Sequence, residues 1–134
     1  MNVKRYLFII VCCFSLVACN VENNSSKTVK NIEIQETTDF SNVKQNSLKT
    51  ISNKEEIMSI QEAVNKAKKL DGIVDIGVPQ YKLKLNDTEY FLWVNDDHRA
   101  TIMNVKDTHT IYKIDSAKKM NKMIQGLYEA PDTK

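Results

Sequence analysis

The chain has 134 residues, is 42% hydrophobic and 27% charged, and carries a formal charge of +2 at neutral pH. This length leaves room for one compact domain of roughly a hundred residues with a single core, and it excludes a multidomain protein. Lys4 and Arg5 are equal in number to the net positive charge, and both lie at the extreme N-terminus. Without them the formal charge is zero, so the charge gives no reason to expect nucleic-acid binding.

Residues 1–18 have the layout of an export signal. Lys4 and Arg5 precede an apolar run of thirteen residues from Tyr6 to Ala18. A helix of that length spans about 20 Å, which is short of the roughly 30 Å hydrocarbon core of a bilayer. The pattern therefore predicts a signal peptide over residues 1–18 and not a stable membrane span.

The end of this run, Leu16-Val17-Ala18-Cys19, resembles a bacterial lipobox. In such a motif a diacylglyceryl group is joined to the cysteine sulfur and a dedicated peptidase cuts just before that residue. We therefore expect lipidation of Cys19 and attachment to membrane lipid at the extracytoplasmic face, since two acyl chains give stable anchoring. Cys12 and Cys13 lie in the removed run, so the exported domain must fold without disulfides or cysteine-ligated metal.

A polar segment rich in Asn and Ser follows the lipobox. It shows no apolar period, which predicts that residues 19–31 are the lipidated cysteine and a flexible tether. Residues 32–130 are then expected to form one α+β domain.

Two short strands are predicted at the start of that domain. Ile32 and Ile34 alternate with polar residues, as in a half-buried strand, and residues 43–52 are a weaker second candidate. Together they would supply one or two N-terminal strands.

The first helix is predicted from about Lys54 to Leu70, with Ser52 or Asn53 as the N-cap. Its apolar residues recur at helical spacing: Ile57, Ile60, Val64 and Ala67. Three lysines would form a basic C-terminal end that the helix dipole favours: Lys66, Lys68 and Lys69. Gly72, Gly77 and Pro79 then predict an irregular crossover.

The second half of the chain predicts an antiparallel meander of four strands joined by short turns. These strands are YKLKL, EYFLWV, ATIMNV and HTIYKI. A last helix, capped by Asp115 or Ser116, carries an apolar stripe and ends before Pro131. The expected fold is an α+β architecture in which two helices pack on one face of an antiparallel sheet.

The segments GIVDIGVPQYKLKL, YFLWV, ATIMN and DTHTIYKI lie behind the lipobox and before the terminal helix. In this combination the region from Ile51 to Leu127 resembles the small YhfM-like lipoproteins of bacilli. That family has no assigned reaction. The resemblance implies a location and a fold, and it implies no catalytic residues.

Two histidines are the only candidates for metal or acid-base chemistry. His98 follows Asp96 and Asp97, a set that could bind a divalent cation, although Asn and Asp between two strands are also typical of a turn. His109 could pair with Asp107 as a base with its orienting carboxylate, yet no known catalytic motif surrounds it. The turn and a strand surface are the preferred interpretations, so no metal, cofactor or catalytic residue is predicted.

The second face of the sheet is the feature with the clearest functional interest. If Leu92 faces the helices, then Phe91 and Trp93 point the other way, because strand side chains alternate. Met103 and Ile111 are expected to join them. Either residues 32–51 cover this face, or it is an exposed apolar patch that binds a partner.

Three functions agree with these features. The first is a non-enzymatic binding or accessory module tethered to the membrane, which engages an envelope protein or peptide. The second is an inhibitor or immunity-type lipoprotein that acts on a secreted enzyme or toxin. The third, a metal-assisted enzyme, is disfavoured because the catalytic motifs are missing from the sequence.

Overall fold

Seven strands form one antiparallel sheet in the computed structural model, which describes residues 28–71 and 75–129. The order across the sheet is β2-β1-β4-β5-β6-β7-β3, and every pair of neighbours is antiparallel. The elements are β1 (Ile32–Glu36), β2 (Lys49–Ile51), α1 (Lys54–Asn65), β3 (Lys68–Lys69), β4 (Tyr81–Leu85), β5 (Thr88–Val94), β6 (Ala100–Asn104), β7 (Asp107–Ile114) and α2 (Lys118–Tyr128). The predicted α+β class and the four-stranded meander, β4 to β7, are confirmed.

The predicted signal peptide and Cys19 lie outside the described residues. Within residues 28–71 and 75–129, no helix is long and apolar enough to cross a membrane.

The two N-terminal strands extend the meander at one edge of the sheet. β1 pairs with β4 along its whole length, and β2 pairs with the outer side of β1. Ile32 and Ile34 are fully buried, as their alternation predicts. Val29 is also buried in the same core, so the packed part of the chain begins before the predicted end of the tether at residue 31.

The first helix is shorter than predicted. Asn53 is its N-cap and accepts hydrogen bonds from the N–H groups of Glu55 and Glu56, as expected. The helix ends at Asn65, five residues before Leu70. Instead of continuing it, Lys68 and Lys69 form the edge strand β3 against β7.

This difference also corrects the predicted basic helix end. The Lys68 ammonium lies 3.6 Å from the Asp115 carboxylate, and neither Lys68 nor Lys69 belongs to α1. Helical spacing alone could not reveal the strand pairing, because that pairing joins residues far apart in sequence.

The second helix starts without a side-chain cap. Its N-cap is Ala117, and not Ser116 or Asp115 as predicted. The Ala117 N–H donates to the His98 carbonyl oxygen at 2.7 Å, while Asp115 binds the Lys113 ammonium at 2.8 Å. A tertiary contact with the β5–β6 turn thus replaces the local cap.

The C-terminal end of α2 is hydrogen-bonded to the N-terminal part of the domain, near the edge of the sheet formed by β1 and β2. The Tyr128 hydroxyl lies 3.0 Å from the Ile34 carbonyl oxygen and 2.9 Å from that of Ser47, and its ring stacks on Tyr81. Burial raises the pKa of Tyr128, so its hydroxyl stays a donor at physiological pH.

The main core lies between the sheet and both helices. Alternate strand residues such as Leu83, Leu92 and Ile102 pack there against Ile60 of α1 and Ile124 of α2. A second, smaller apolar cluster lies on the other face of the sheet.

Candidate apolar binding groove

The smaller cluster contains all four residues that the sequence predicted for the second face. Phe91, Met103 and Ile111 lie side by side in one row across β5, β6 and β7, because Phe91 pairs with Met103 and Met103 with Ile111. Trp93 is the next residue along β5 on this face. All four side chains are buried, and Trp93 is 8% exposed.

Two loops cover this row of side chains. Phe40, from the loop between β1 and β2, packs edge-on against Phe91 with ring centroids 5.5 Å apart, and lies 6.3 Å from Trp93. From the crossover before β4, Gly77 accepts a hydrogen bond from the Trp93 indole N–H at 2.9 Å, and Ile76 packs on the cluster.

The expectation that residues 32–51 would cover this face is therefore only partly right. β1 and β2 extend the sheet sideways, and Phe40 is the residue of this segment that packs on the aromatic pair. The crossover before β4 supplies the rest of the cover. The alternation of residues within single strands contains no information about this contact.

Local hydrogen bonds fix the position of Phe40. The Asp39 carboxylate accepts from the N–H groups of Ser41 and Asn42 at 2.7 and 2.8 Å, which turns the chain tightly around Phe40. A hydrogen bond from the Asn42 side chain lowers the pKa of Asp39 and keeps it ionised. The Thr37 N–H donates to the Gln80 carbonyl oxygen at 3.0 Å, so this loop and the crossover are joined.

An open groove of about 460 Å³ remains beside Phe40 on this face. Its lining is apolar except for one hydroxyl: Phe40, Ile76, Phe91, Met103, Val105, Thr108 and Ile111. Three of the four predicted residues line the groove, and Trp93 is buried next to it. Such a surface can take up an apolar side chain, and Met103 gives it some ability to adapt.

The rest of this face is charged. The Lys84 ammonium lies 3.4 Å from the Glu33 carboxylate across β1 and β4, and that of Lys82 lies 3.1 Å from Glu89 across β4 and β5. These partly exposed pairs make this area polar, so the apolar surface is limited to the half of the sheet formed by β5, β6 and β7.

The segment with Asp96, Asp97 and His98 is a turn, as predicted. The Asp96 carboxylate accepts from the backbone N–H groups of His98 and Arg99, both at 2.8 Å, and binds the Arg99 side chain. The Arg99 hydrogen bond, followed by that from the His98 backbone, lowers the pKa of Asp96 to about 2. Among the described residues, no three His, Cys, Asp or Glu side chains converge in a metal-binding arrangement.

Asn121 of α2 connects this turn to the core and was not predicted. Its side-chain nitrogen donates to the carbonyl oxygens of Asp96 at 2.7 Å and Arg99 at 3.0 Å. The side chain is fully buried, and its oxygen has no hydrogen-bond partner. A polar residue inside an apolar helical stripe was the signal available in the sequence.

The second histidine is exposed on β7. The Asp107 carboxylate accepts from the His109 backbone N–H at 3.2 Å. Asp107 thus binds the backbone of His109, which is the local arrangement expected of Asp at the start of a strand after a turn.

Sequence reasoning missed Phe40, Ile76 and Val105 as members of the groove. Phe40 is the only aromatic residue in the polar loop between β1 and β2, and 44% of it remains exposed. Val105 follows β6 directly, where its N–H bonds to the Glu89 carbonyl oxygen at 3.0 Å. An isolated aromatic residue in a polar loop was thus the feature of the sequence that could have predicted this contact with the sheet.

Comparison with known proteins gives one match. The model of the YhfM protein family matches residues 23–131, which include every strand and helix described above. No curated protein and no solved structure matches the chain. Because the matched region covers most of the sequence, the chain belongs to the YhfM family.

Proposed function

We propose that this protein is an extracytoplasmic lipoprotein, anchored in the cell membrane through Cys19, whose domain binds an envelope protein or peptide without catalysing a reaction. The observation that carries the binding role is the apolar groove beside Phe40. The anchoring role rests on the apolar run and the four residues that end at Cys19.

The groove suits a protein or peptide ligand better than a small polar metabolite. Phe91, Met103 and Ile111 form its floor, and no charged side chain lines it. The charged pairs of Lys82 and Lys84 lie on the same face and provide a polar surround. An apolar centre with a polar rim is the usual anatomy of a protein-binding surface.

Replacement of the lipidated residue tests the anchor. Cys19→Ala should abolish lipid attachment and block the peptidase cut before residue 19, because the modification needs the thiol sulfur. The measurement is metabolic labelling with a clickable palmitate analogue, followed by membrane fractionation. Persistent labelling of the variant would refute anchoring at this residue.

A photo-crosslinking amino acid at Thr108 tests the groove in intact cells. Thr108 is exposed and lines the groove, so we expect it to capture a specific envelope partner. Met58 is a matched control because it is 57% exposed and lies on α1, on the other side of the sheet.

The expected result is an adduct from position 108 that is missing at position 58 and is lost when Val105→Glu places a charge in the groove. Circular dichroism would verify that the Val105 variant is folded. The same adducts from both positions, or no adduct from position 108, would contradict the groove as the binding site. A secreted enzyme or toxin as the captured partner would identify the protein as an inhibitor.

A further inference from the structure

We propose that the exposed lysines of α2 lie against an anionic lipid bilayer, so that the domain is held with its helices towards the membrane and its apolar groove facing away. This inference rests on the proposed anchoring at Cys19. It adds the orientation of the domain relative to the membrane. It also assigns a role to a charged surface that lies apart from the groove.

The lysines are free to bind anionic headgroups. Lys118, Lys119 and Lys122 are all exposed, on the side of α2 opposite its buried Met120 and Ile124. None of the three lies within ion-pairing distance of a described carboxylate, although Glu62 of α1 attracts Lys119 at longer range. Each lysine near an anionic membrane surface favours the bound orientation on the order of five-fold.

The acidic residues of the neighbouring helix oppose this attraction only weakly. Glu62 is held by Lys66 at 2.5 Å, and a hydrogen bond from that lysine lowers the pKa of Glu62. Glu55 and Glu56 lie in the first turn of α1, where the positive end of the helix dipole offsets part of their charge.

The chain that leads to the anchor leaves the domain on the helix side. Val29 is buried in the helix-side core, and it lines a depression with Gln61 and Val64 of α1. Thr28 lies nine positions after Cys19 in the sequence. A chain of this length spans at most about 30 Å.

That distance is comparable with the size of the domain, whose radius of gyration is about 13 Å for a hundred residues. An anchored domain therefore stays within reach of the headgroups, and its surface charge decides which side touches them. The groove lies on the opposite side of the sheet from α2. Contact through α2 consequently leaves the groove open to a partner in the envelope.

The test uses the full lipidated protein in vesicles, with a fluorophore on a single introduced cysteine. Gly126→Cys places the label on the outer side of α2, where an added Cβ meets no other atom within 4 Å. Thr108→Cys places it at the groove. Quenching by a headgroup-labelled lipid is compared between phosphatidylcholine vesicles with and without about 30% phosphatidylglycerol.

We expect strong quenching at position 126 only in the anionic vesicles, and weak quenching at position 108 in both. Lys118→Gln with Lys122→Gln should reduce the preference for the bound orientation roughly 25-fold, and 0.5 M salt should also weaken it by screening the lysines. Lys44→Gln with Lys106→Gln removes the same charge from other parts of the surface and should leave the quenching unchanged.

Equal quenching at position 126 in both kinds of vesicle, or strong quenching at position 108, would overturn the orientation while leaving the anchor intact. Protein that does not float with either vesicle would instead overturn the anchor and with it this inference. The emission of the label at position 126 could instead change on addition of soluble polyphosphate and show no quenching by vesicles. That result would assign the lysines to a soluble polyanion and reject the membrane contact.

Discussion

Trp93→Ala should destabilise the domain by about 3–5 kcal/mol, the usual cost of deleting a large buried aromatic side chain. The Trp93 ring packs against both Phe91 and Phe40, with its centroid 6.3 Å from each of theirs. Its loss leaves a cavity and removes the donor that satisfies the Gly77 carbonyl oxygen. Urea unfolding followed by circular dichroism would measure the change in the free energy of unfolding.

Two further variants separate ring packing from the hydrogen bond. Trp93→Phe keeps an aromatic ring and loses the indole N–H, so it should cost less than Trp93→Ala. Phe40→Ala should also cost less, because 44% of Phe40 is exposed before the change. Red-shifted tryptophan emission in the unaltered protein, together with an unchanged melting temperature in Trp93→Ala, would contradict the buried position of Trp93.

Asn121→Ala should destabilise the domain by about 2–3 kcal/mol. The change removes two donated hydrogen bonds, each worth about 1 kcal/mol, and opens a small cavity at a fully buried position. The Arg99 carbonyl oxygen still accepts from the Asn95 N–H, so the main unpaired group is the Asp96 carbonyl oxygen. Thermal and urea unfolding would both report the loss.

The same turn supplies a matched control for Asn121. His98→Ala alters an exposed side chain and keeps the backbone carbonyl that receives the Ala117 N–H, so it should change stability by less than about 0.5 kcal/mol. Asp has nearly the same shape as Asn but lacks the two N–H donors. Asn121→Asp should therefore destabilise the domain at least as much as Asn121→Ala. Equal stability of the Asn121 and His98 variants would show that the Asn121 bonds do not hold the turn.

The meander was predictable because each of its strands has its own local signal. Alternating residues in YKLKL place Leu83 and Leu85 in the core, and short polar turns separate the strands. The N-cap of α1 at Asn53 was also predictable, because it depends only on neighbouring residues. Phe91, Trp93, Met103 and Ile111 could be placed on one face for the same reason, since alternation depends only on the strand itself.

The errors all involve contacts between distant parts of the chain. Lys68 and Lys69 leave the helical pattern because β7 offers them strand pairing. Ala117 replaces Ser116 at the helix start because the His98 carbonyl oxygen is nearby in space. Phe40 and Ile76 complete the groove from two loops whose paths no periodic pattern describes.

The hydrogen bonds of Tyr128 also have a consequence for the order of folding. This residue joins the C-terminal helix to Ile34 in the first strand, 94 residues earlier in the chain. A chain that emerges from its N-terminus can pair β1 with β4, but it cannot close the core over that pair until α2 has followed. Contacts of such long sequence separation slow folding, so we expect the domain to complete its core only when almost its whole length is available.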